Sequence, residues 1–165
     1  MIEWPGNGNE HLIPWDKQII QQHPQTPDVL RPLFEVMSPF QLLEIGTGSG
    51  AFAYWLSQFG LIVSCDLVDR RIYRENYTFH QRDYRECYDA EYDIIICDGG
   101  NKYEEIEFLI AQKYDGLVLG HDYGHSEWPY CEWETPPPGI TEIKGQWNRY
   151  GWFIGKRNEH SRIDV

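Results

Sequence analysis

Five acids in the middle of this 165-residue chain fall at or beside the ends of apolar runs: Glu44 in "LLEIGTGSG", Asp66 in "LIVSCD", Asp83 in "YTFHQRD", Asp98 in "YDIIICD", and Asp122 in "GLVLGHD", where His121 precedes it. Gly46, Gly48 and Gly50 follow Glu44 at alternate positions. Such a turn lets the main chain approach a ligand closely and swing into a helix, and its common guest is a phosphate. A carboxylate beside a phosphate is repulsive. Between Leu42 and Asp69 there is no Lys, Arg or His to offset Glu44, Asp66 and Asp69. The pattern asks for a guest with positive charge and no phosphate. S-adenosylmethionine carries a sulfonium, an ammonium and two ribose hydroxyls, which suit Glu44 near the amino group and Asp66 near the ribose. Asp83 stands where a carboxylate accepts from the exocyclic amine of adenine. "GTGSGA" also satisfies G-x-G-x-x-A, so a nicotinamide dinucleotide is the rival on pattern, and the local charge speaks against its pyrophosphate. A bare strand-to-helix turn is the third alternative.

Asp98, His121 and Asp122 offer different chemistry. A histidine is a base near neutral pH, and two carboxylates at strand ends supply oxygen ligands of the kind magnesium prefers. Structural duties are the alternative, with Asp98 capping the next helix and His121 bonding a loop carbonyl.

These residues need strands and helices in regular alternation to bring them together. The apolar runs predict strands over 41–45, 61–66, 77–83, 92–98 and 116–122, the fourth apolar on both faces as a central parallel strand must be. Between them, helices are expected over 50–60, closed by Gly60, around the polar "RRIYREN", and over 101–114 with Tyr103, Ile106, Leu109 or Ile110, and Tyr114 on the inner face. Right-handed βαβ units then build a doubly wound, mostly parallel α/β sheet. Before it lies a helix between "TPDVL" and "FEVM", started or kinked by Pro32; after it come a Pro- and Trp-rich loop over 123–139 and a C-terminal antiparallel hairpin, "ITEIKGQW" and "RYGWFIGKR", turning at "NRYG".

Composition narrows the function. A chain of 165 residues with 41% hydrophobic content is expected to form a single domain over 1–165. Its 26 acids against 14 bases, net charge -12, disfavour nucleic acid and anionic membranes as partners. Cys65, Cys87, Cys97 and Cys131 show no C-x-x-C spacing, and neither a signal peptide nor a membrane span is apparent, so a cytoplasmic protein is expected.

The chain resembles the class I S-adenosylmethionine-dependent methyltransferases over about residues 33–124. The resemblance is carried by "LLEIGTGSG", Asp66 in "VSCD", Asp83 in "FHQRDY", and the pair "IIICDGG" and "GLVLGHDYG". More narrowly, "DGGNKYEE" and "GLVLGHDY" resemble the small-molecule branch that reads D-G-x-H-x-Y and then G-G-x-hydrophobic-x-x-H-D-Y. The resemblance implies a Rossmann-like sheet, with Glu44, Gly46, Thr47, Gly48, Gly50, Asp66, Asp83 and Tyr84 holding S-adenosylmethionine. Two positions depart from it: Asn101 stands where that branch has His, and Asp115-Gly116 where it has Gly-Gly. A neutral amide is no base near pH 7, so Asn101 does not replace that histidine.

Methyl transfer is an in-line displacement that mainly needs alignment and exclusion of water; a hydroxyl acceptor needs a base or a metal as well. The catalytic candidates are Asp98, His121 and Asp122, with Mg2+ on the two carboxylates as a further cofactor candidate. Trp128 and Trp133 are candidates for a pocket wall, Trp147 and Trp152 for hairpin packing, and Trp4 and Trp15 for closing over the cofactor. His11, His23, His80, His125 and His160 show no metal-ligand spacing. The expected activity is methylation of a small molecule at oxygen or nitrogen. The alternatives are a binding module without turnover and a nicotinamide-dependent oxidoreductase.

Overall fold

The computed structural model describes residues 13–15, 18–20, 22–48, 50–68, 76–124 and 131–158. An antiparallel pair, β1 (Ile13–Trp15) and β2 (Gln18–Ile20), is followed by α1 (Thr26–Met37), β3 (Phe40–Ile45), α2 (Ala51–Leu56), β4 (Gly60–Asp66), β5 (Tyr77–Gln81), α3 (Tyr84–Cys87), β6 (Ile94–Cys97), α4 (Lys102–Ala111), β7 (Leu117–Gly120), β8 (Ile140–Glu142) and β9 (Phe153–Arg157). Seven strands form one sheet in the order β5-β4-β3-β6-β7-β9-β8. The five from β5 to β7 are parallel, while β9 runs antiparallel to β7 and β8 antiparallel to β9. This is the mostly parallel, doubly wound sheet with an antiparallel C-terminal pair that the strand pattern predicts.

Period-2 alternation sorts the strand residues between two faces. Phe40, Leu42, Ile94, Ile96, Leu119 and Ile154 pack with α1 and α2, on Phe34, Phe52 and Trp55. Leu43, Ile45, Ile95, Cys97, Val118 and Phe153 pack on α4. All four residues of β6 are buried, which is why it reads as an uninterrupted apolar run.

Several boundaries differ from the expectation. Asp83, Asp98 and Asp122 lie just beyond their strands rather than in them. Pro32 neither starts nor ends α1; Pro27, at the helix N-terminus where a missing N–H costs nothing, is the starting proline. The inner face of α4 carries Lys102, Glu105, Ile106, Leu109 and Ile110, with Tyr103 exposed. The C-terminal pair is not a tight hairpin. β8 ends at Glu142, and a 3-10 turn, Gln146–Tyr150, leads into β9, because Asn148 accepts from the Gly145 N–H and donates to Glu142 Oε1 and the Trp152 carbonyl. Trp152 is fully buried and donates to Thr26 Oγ1, tying β9 to α1. Of the helix expected around "RRIYREN", residues 70–75 lie outside the described residues, and Asn76 is a turn residue with φ +59°.

Candidate functional site

Strand order reverses between β3 and β6: the chain leaves β3 toward β4 and β5, then returns to β6 on the other side. Ligands of open α/β sheets sit beyond the strand ends at such a reversal. A cleft of ≈ 480 Å³ lies there, lined among others by Gly46, Asp66, Asp83, Tyr84, Asn101 and Glu105. Gly46 has φ +86°, and a Cβ on it would stand 2.3 Å from the Asp98 carbonyl oxygen, so only glycine lets β3 turn past β6.

Glu44 sits beneath this turn rather than in the cleft. It is 1% exposed, its Oε2 accepts from Ser64 Oγ at 2.5 Å, and Ser64 Oγ lies 2.5 Å from Thr47 Oγ1. Burial drives its carboxyl well above the usual carboxylate range, outweighing the bond from Ser64. Glu44 therefore anchors Thr47 and the glycine turn to β4.

Asp66, Asp83 and Tyr84 all reach the cleft. Asp66 accepts from the Val68 N–H at 3.0 Å, and Asp83 caps α3 by accepting from the Arg85 N–H at 2.9 Å. The cleft is not purely acidic, because Arg82 and Arg85 line it too. Arg85 pairs with Asp83 at 3.2 Å and with Glu104, and lies 4.4 Å over the Tyr84 ring. Glu105 was not foreseen as part of this wall. It folds back from α4 to accept from the Gly99 N–H at 3.4 Å, and burial raises its carboxyl to about 7.

Asp98, His121 and Asp122 converge. His121 Nδ1 is 3.1 Å from Asp98 Oδ1 and 3.3 Å from Asp122 Oδ1, with the imidazole buried against Trp152 at 4.6 Å. Burial alone would lower its pKa, but the charge and hydrogen bond of Asp98, with Asp122 behind them, outweigh burial and raise it above 6.5. Asp98 does not cap α4; that duty falls to Asn101, whose Oδ1 accepts from the Glu104 N–H at 3.1 Å. Asp98 Oδ2 instead accepts from Gln22 Nε2 at 2.9 Å. Asp122 has φ +56°, a left-handed conformation that aspartate tolerates better than most residues. Trp133 lines no part of the cleft: it packs on Tyr123 and Phe153 and donates Nε1–H to the His121 carbonyl at 2.7 Å. Trp4, Trp128, Asp69, His11, His125 and His160 lie outside the described residues, as does the side chain of Trp15.

Two neighbours of the cluster escaped the sequence. Gln22 reaches it only through the fold. Lys102 looks like an ordinary surface lysine on a helix, yet it is 6% exposed, with Nζ 2.9 Å from Asp122 Oδ2 and 2.8 Å from Glu132 Oε2. Burial pulls its pKa down, but the bond to Glu132 and the charges of Asp98 and Asp122 win and raise it, so the ammonium is charged.

Among the described residues, Asp98, His121 and Asp122 are the one group whose donor atoms lie close enough together, within 4.8 Å, to share a metal. The group does not fit Mg2+. Both oxygens of Asp98 already face donors, His121 and Gln22, and both of Asp122 face His121 and Lys102. An ion would have to displace them and sit beside an ammonium.

In fold the chain is similar to 1,6-didemethyltoxoflavin-N1-methyltransferase of Burkholderia thailandensis with bound 1,6-didemethyltoxoflavin and S-adenosylhomocysteine (TM-score 0.54, 16% identity, 82% of this chain and 77% of that one). It is similar as well to magnesium protoporphyrin IX methyltransferase of Synechocystis PCC 6803 with bound SAM (TM-score 0.56, 18% identity, 81% and 79%). A third is a ribosomal protein L11 methylase of Lactobacillus delbrueckii subsp. bulgaricus (TM-score 0.52, 18% identity, 87% of each chain). At these identities the likeness is one of fold: a mostly parallel, Rossmann-like sheet is what this chain shares with those proteins. No protein-family model matches the chain, and no curated protein matches it in sequence. No helix among the described residues is long and apolar enough to cross a membrane.

Proposed function

We propose that this chain transfers a methyl group from S-adenosylmethionine to an oxygen or nitrogen of a small molecule, with His121 as the base. One observation carries the reading: Asp98 belongs to both halves of the site. Its carbonyl abuts Gly46 at the nucleoside cleft, and its carboxylate holds the buried imidazole.

In this reading Asp66 accepts from the ribose hydroxyls and Asp83 and Tyr84 meet adenine, supported by the presence of all three in the cleft lining together with Gly46. S-adenosylmethionine held there supplies a methyl carbon activated by its sulfonium. The chain does the rest. Asp98 and Asp122 fix the proton on Nδ1 and stabilise the imidazolium, which leaves Nε2 to take a proton from the acceptor. Because the fold raises the imidazole pKa, His121 is a stronger base than a free histidine. This is the role that Asn101 cannot fill. His121 is 2% exposed, so an acceptor must reach a buried nitrogen, which favours a small molecule and excludes water.

Calorimetry with S-adenosylhomocysteine, together with a tritiated-methyl assay over a metabolite panel, tests this reading. D66N is expected to weaken S-adenosylhomocysteine at least about tenfold, the worth of one charge-assisted hydrogen bond. H121N should leave that affinity intact and slow transfer by roughly a hundredfold. Binding of a nicotinamide dinucleotide in preference to S-adenosylhomocysteine would overturn the proposal. So would tight cofactor binding with no transfer to any acceptor.

A further inference from the structure

We propose that the Lys102 ammonium is the built-in counter-cation of the Asp98–His121–Asp122 cluster, filling the charge role of a divalent metal, and that the cluster takes up such a metal only when Lys102 is removed. The inference concerns the cluster itself and holds whichever reaction the site performs.

Lys102 is the first residue of α4. A cation is disfavoured at a helix N-terminus, and a lysine there ordinarily extends into solvent. This one turns inward to 6% exposure, so specific partners must hold it. They are Asp122 Oδ2 at 2.9 Å and Glu132 Oε2 at 2.8 Å. The partners are themselves joined, since the Glu132 N–H donates to the Asp122 carbonyl at 2.8 Å. Lys102 thus links the start of α4, the end of β7 and the segment returning at Glu132.

The geometry is that of a cation site already filled by the chain. Asp98 and Asp122 bring two carboxylates to either side of the His121 imidazole within 4.8 Å, hard-oxygen ligands of the type that bind Mg2+ or Mn2+ when nothing neutralises them, and Lys102 lies on Asp122 with Glu132 as its second partner. With Lys102 in position, a metal on Asp122 would meet a like charge a few ångströms away and would have to strip the donors from Asp98 and Asp122. Without Lys102, Asp122 Oδ2 and Glu132 Oε2 lose their shared donor. Lys102 is therefore a positioning residue for His121, acting through Asp122.

Titration of the full chain with Mn2+, followed by electron paramagnetic resonance of the free ion, tests the idea in the unaltered protein, D122N, K102M, K102Q and K102M/D122N. The unaltered protein should show no Mn2+ site that D122N abolishes. K102M should gain one site at least about tenfold tighter than any in the unaltered protein, and K102M/D122N should lose it. K102Q, closer in shape to lysine, takes the place of K102M should that variant not fold. A Mn2+ site in the unaltered protein that D122N removes overturns the proposal, and so does a folded lysine variant that gains no site. Calorimetry of the same proteins with S-adenosylhomocysteine reports separately on the nucleoside cleft, so a failure there is not confused with a failure here.

Discussion

Replacing Glu105 with glutamine should stabilise the protein by an amount that grows with pH. Glu105 is 3% exposed against Gly99, and burial raises its carboxyl from 4.5 to about 7, opposed more weakly by the N–H groups of Gly99 and Asn101 and by Lys102. In the unfolded chain the group ionises at its ordinary value, so the folded state holds the proton more tightly. The stability tied to that proton is complete below pH 4.5 and is lost as the pH climbs to about 7, where the loss levels off. At about 1.4 kcal/mol for each pH unit over which the two states differ in protonation, the charge costs about 1 kcal/mol at pH 5 and about 3 kcal/mol at pH 8. Glutamine keeps a carbonyl to accept from the Gly99 N–H and carries no charge. E105Q should then exceed the unaltered protein by about 3 kcal/mol at pH 8, roughly 6–12 °C in Tm, with the gap closing toward pH 5. Urea unfolding of both proteins from pH 5 to 8 gives the measurement. A gap that is constant in pH, or an unaltered protein more stable than E105Q at pH 8, refutes the argument that burial governs this carboxyl.

Further outcomes follow from the same geometry. G46A places a Cβ 2.3 Å from the Asp98 carbonyl oxygen at φ +86° and should cost at least about 2 kcal/mol in thermal unfolding, with loss of S-adenosylhomocysteine binding. W133F removes the 2.7 Å bond to the His121 carbonyl; a loss of about 1–3 kcal/mol in urea unfolding and slower transfer at unchanged cofactor affinity are expected. The transfer rate should rise with pH through a midpoint above 6.5, and D98N, which removes the foremost influence raising the His121 pKa, should move that midpoint down. A midpoint indifferent to D98N would show that Asp98 does not govern the base.

The parallel strands were legible because buried strands read as unbroken β-branched runs, and the acids beyond them mark the sheet's carboxyl edge. What failed to show was direction. Glu44 looks like a ligand contact, but it shares the face of Leu42, two residues back, and that face packs on α1 and α2, so strand periodicity points it inward. On the inner face expected over 101–114, Ile106, Leu109, Ile110 and Tyr114 are buried as the spacing predicts and Tyr103 is not, while Lys102 and Glu105 count as polar in any hydrophobic pattern, yet both are buried by partners that pattern cannot reveal, Asp122 and Glu132 for one and the Gly99 N–H for the other. Gln22 is bonded to a residue 76 positions away, a contact that exists only once the chain has folded. The 3-10 turn before β9 rests on the side chain of Asn148, which competes with the ladder that a simple hairpin would have formed.

The backbone brackets the stretch between Gly124 and Cys131. The Gly124 N–H donates to the Trp133 carbonyl at 3.0 Å, Tyr123 and Trp133 are bridged, and Glu132 is fastened to Asp122. The two ends of the span are thus tied by backbone bonds, and the same tie carries Trp133 to the His121 carbonyl and Glu132 to Lys102. Lengthening it adds only a slowly growing loop entropy, because the tie at its base is made by Gly124, Glu132 and Trp133 themselves. Changes of side chain between Gly124 and Cys131 therefore leave that tie in place, since it is built from main-chain groups that every residue but proline carries.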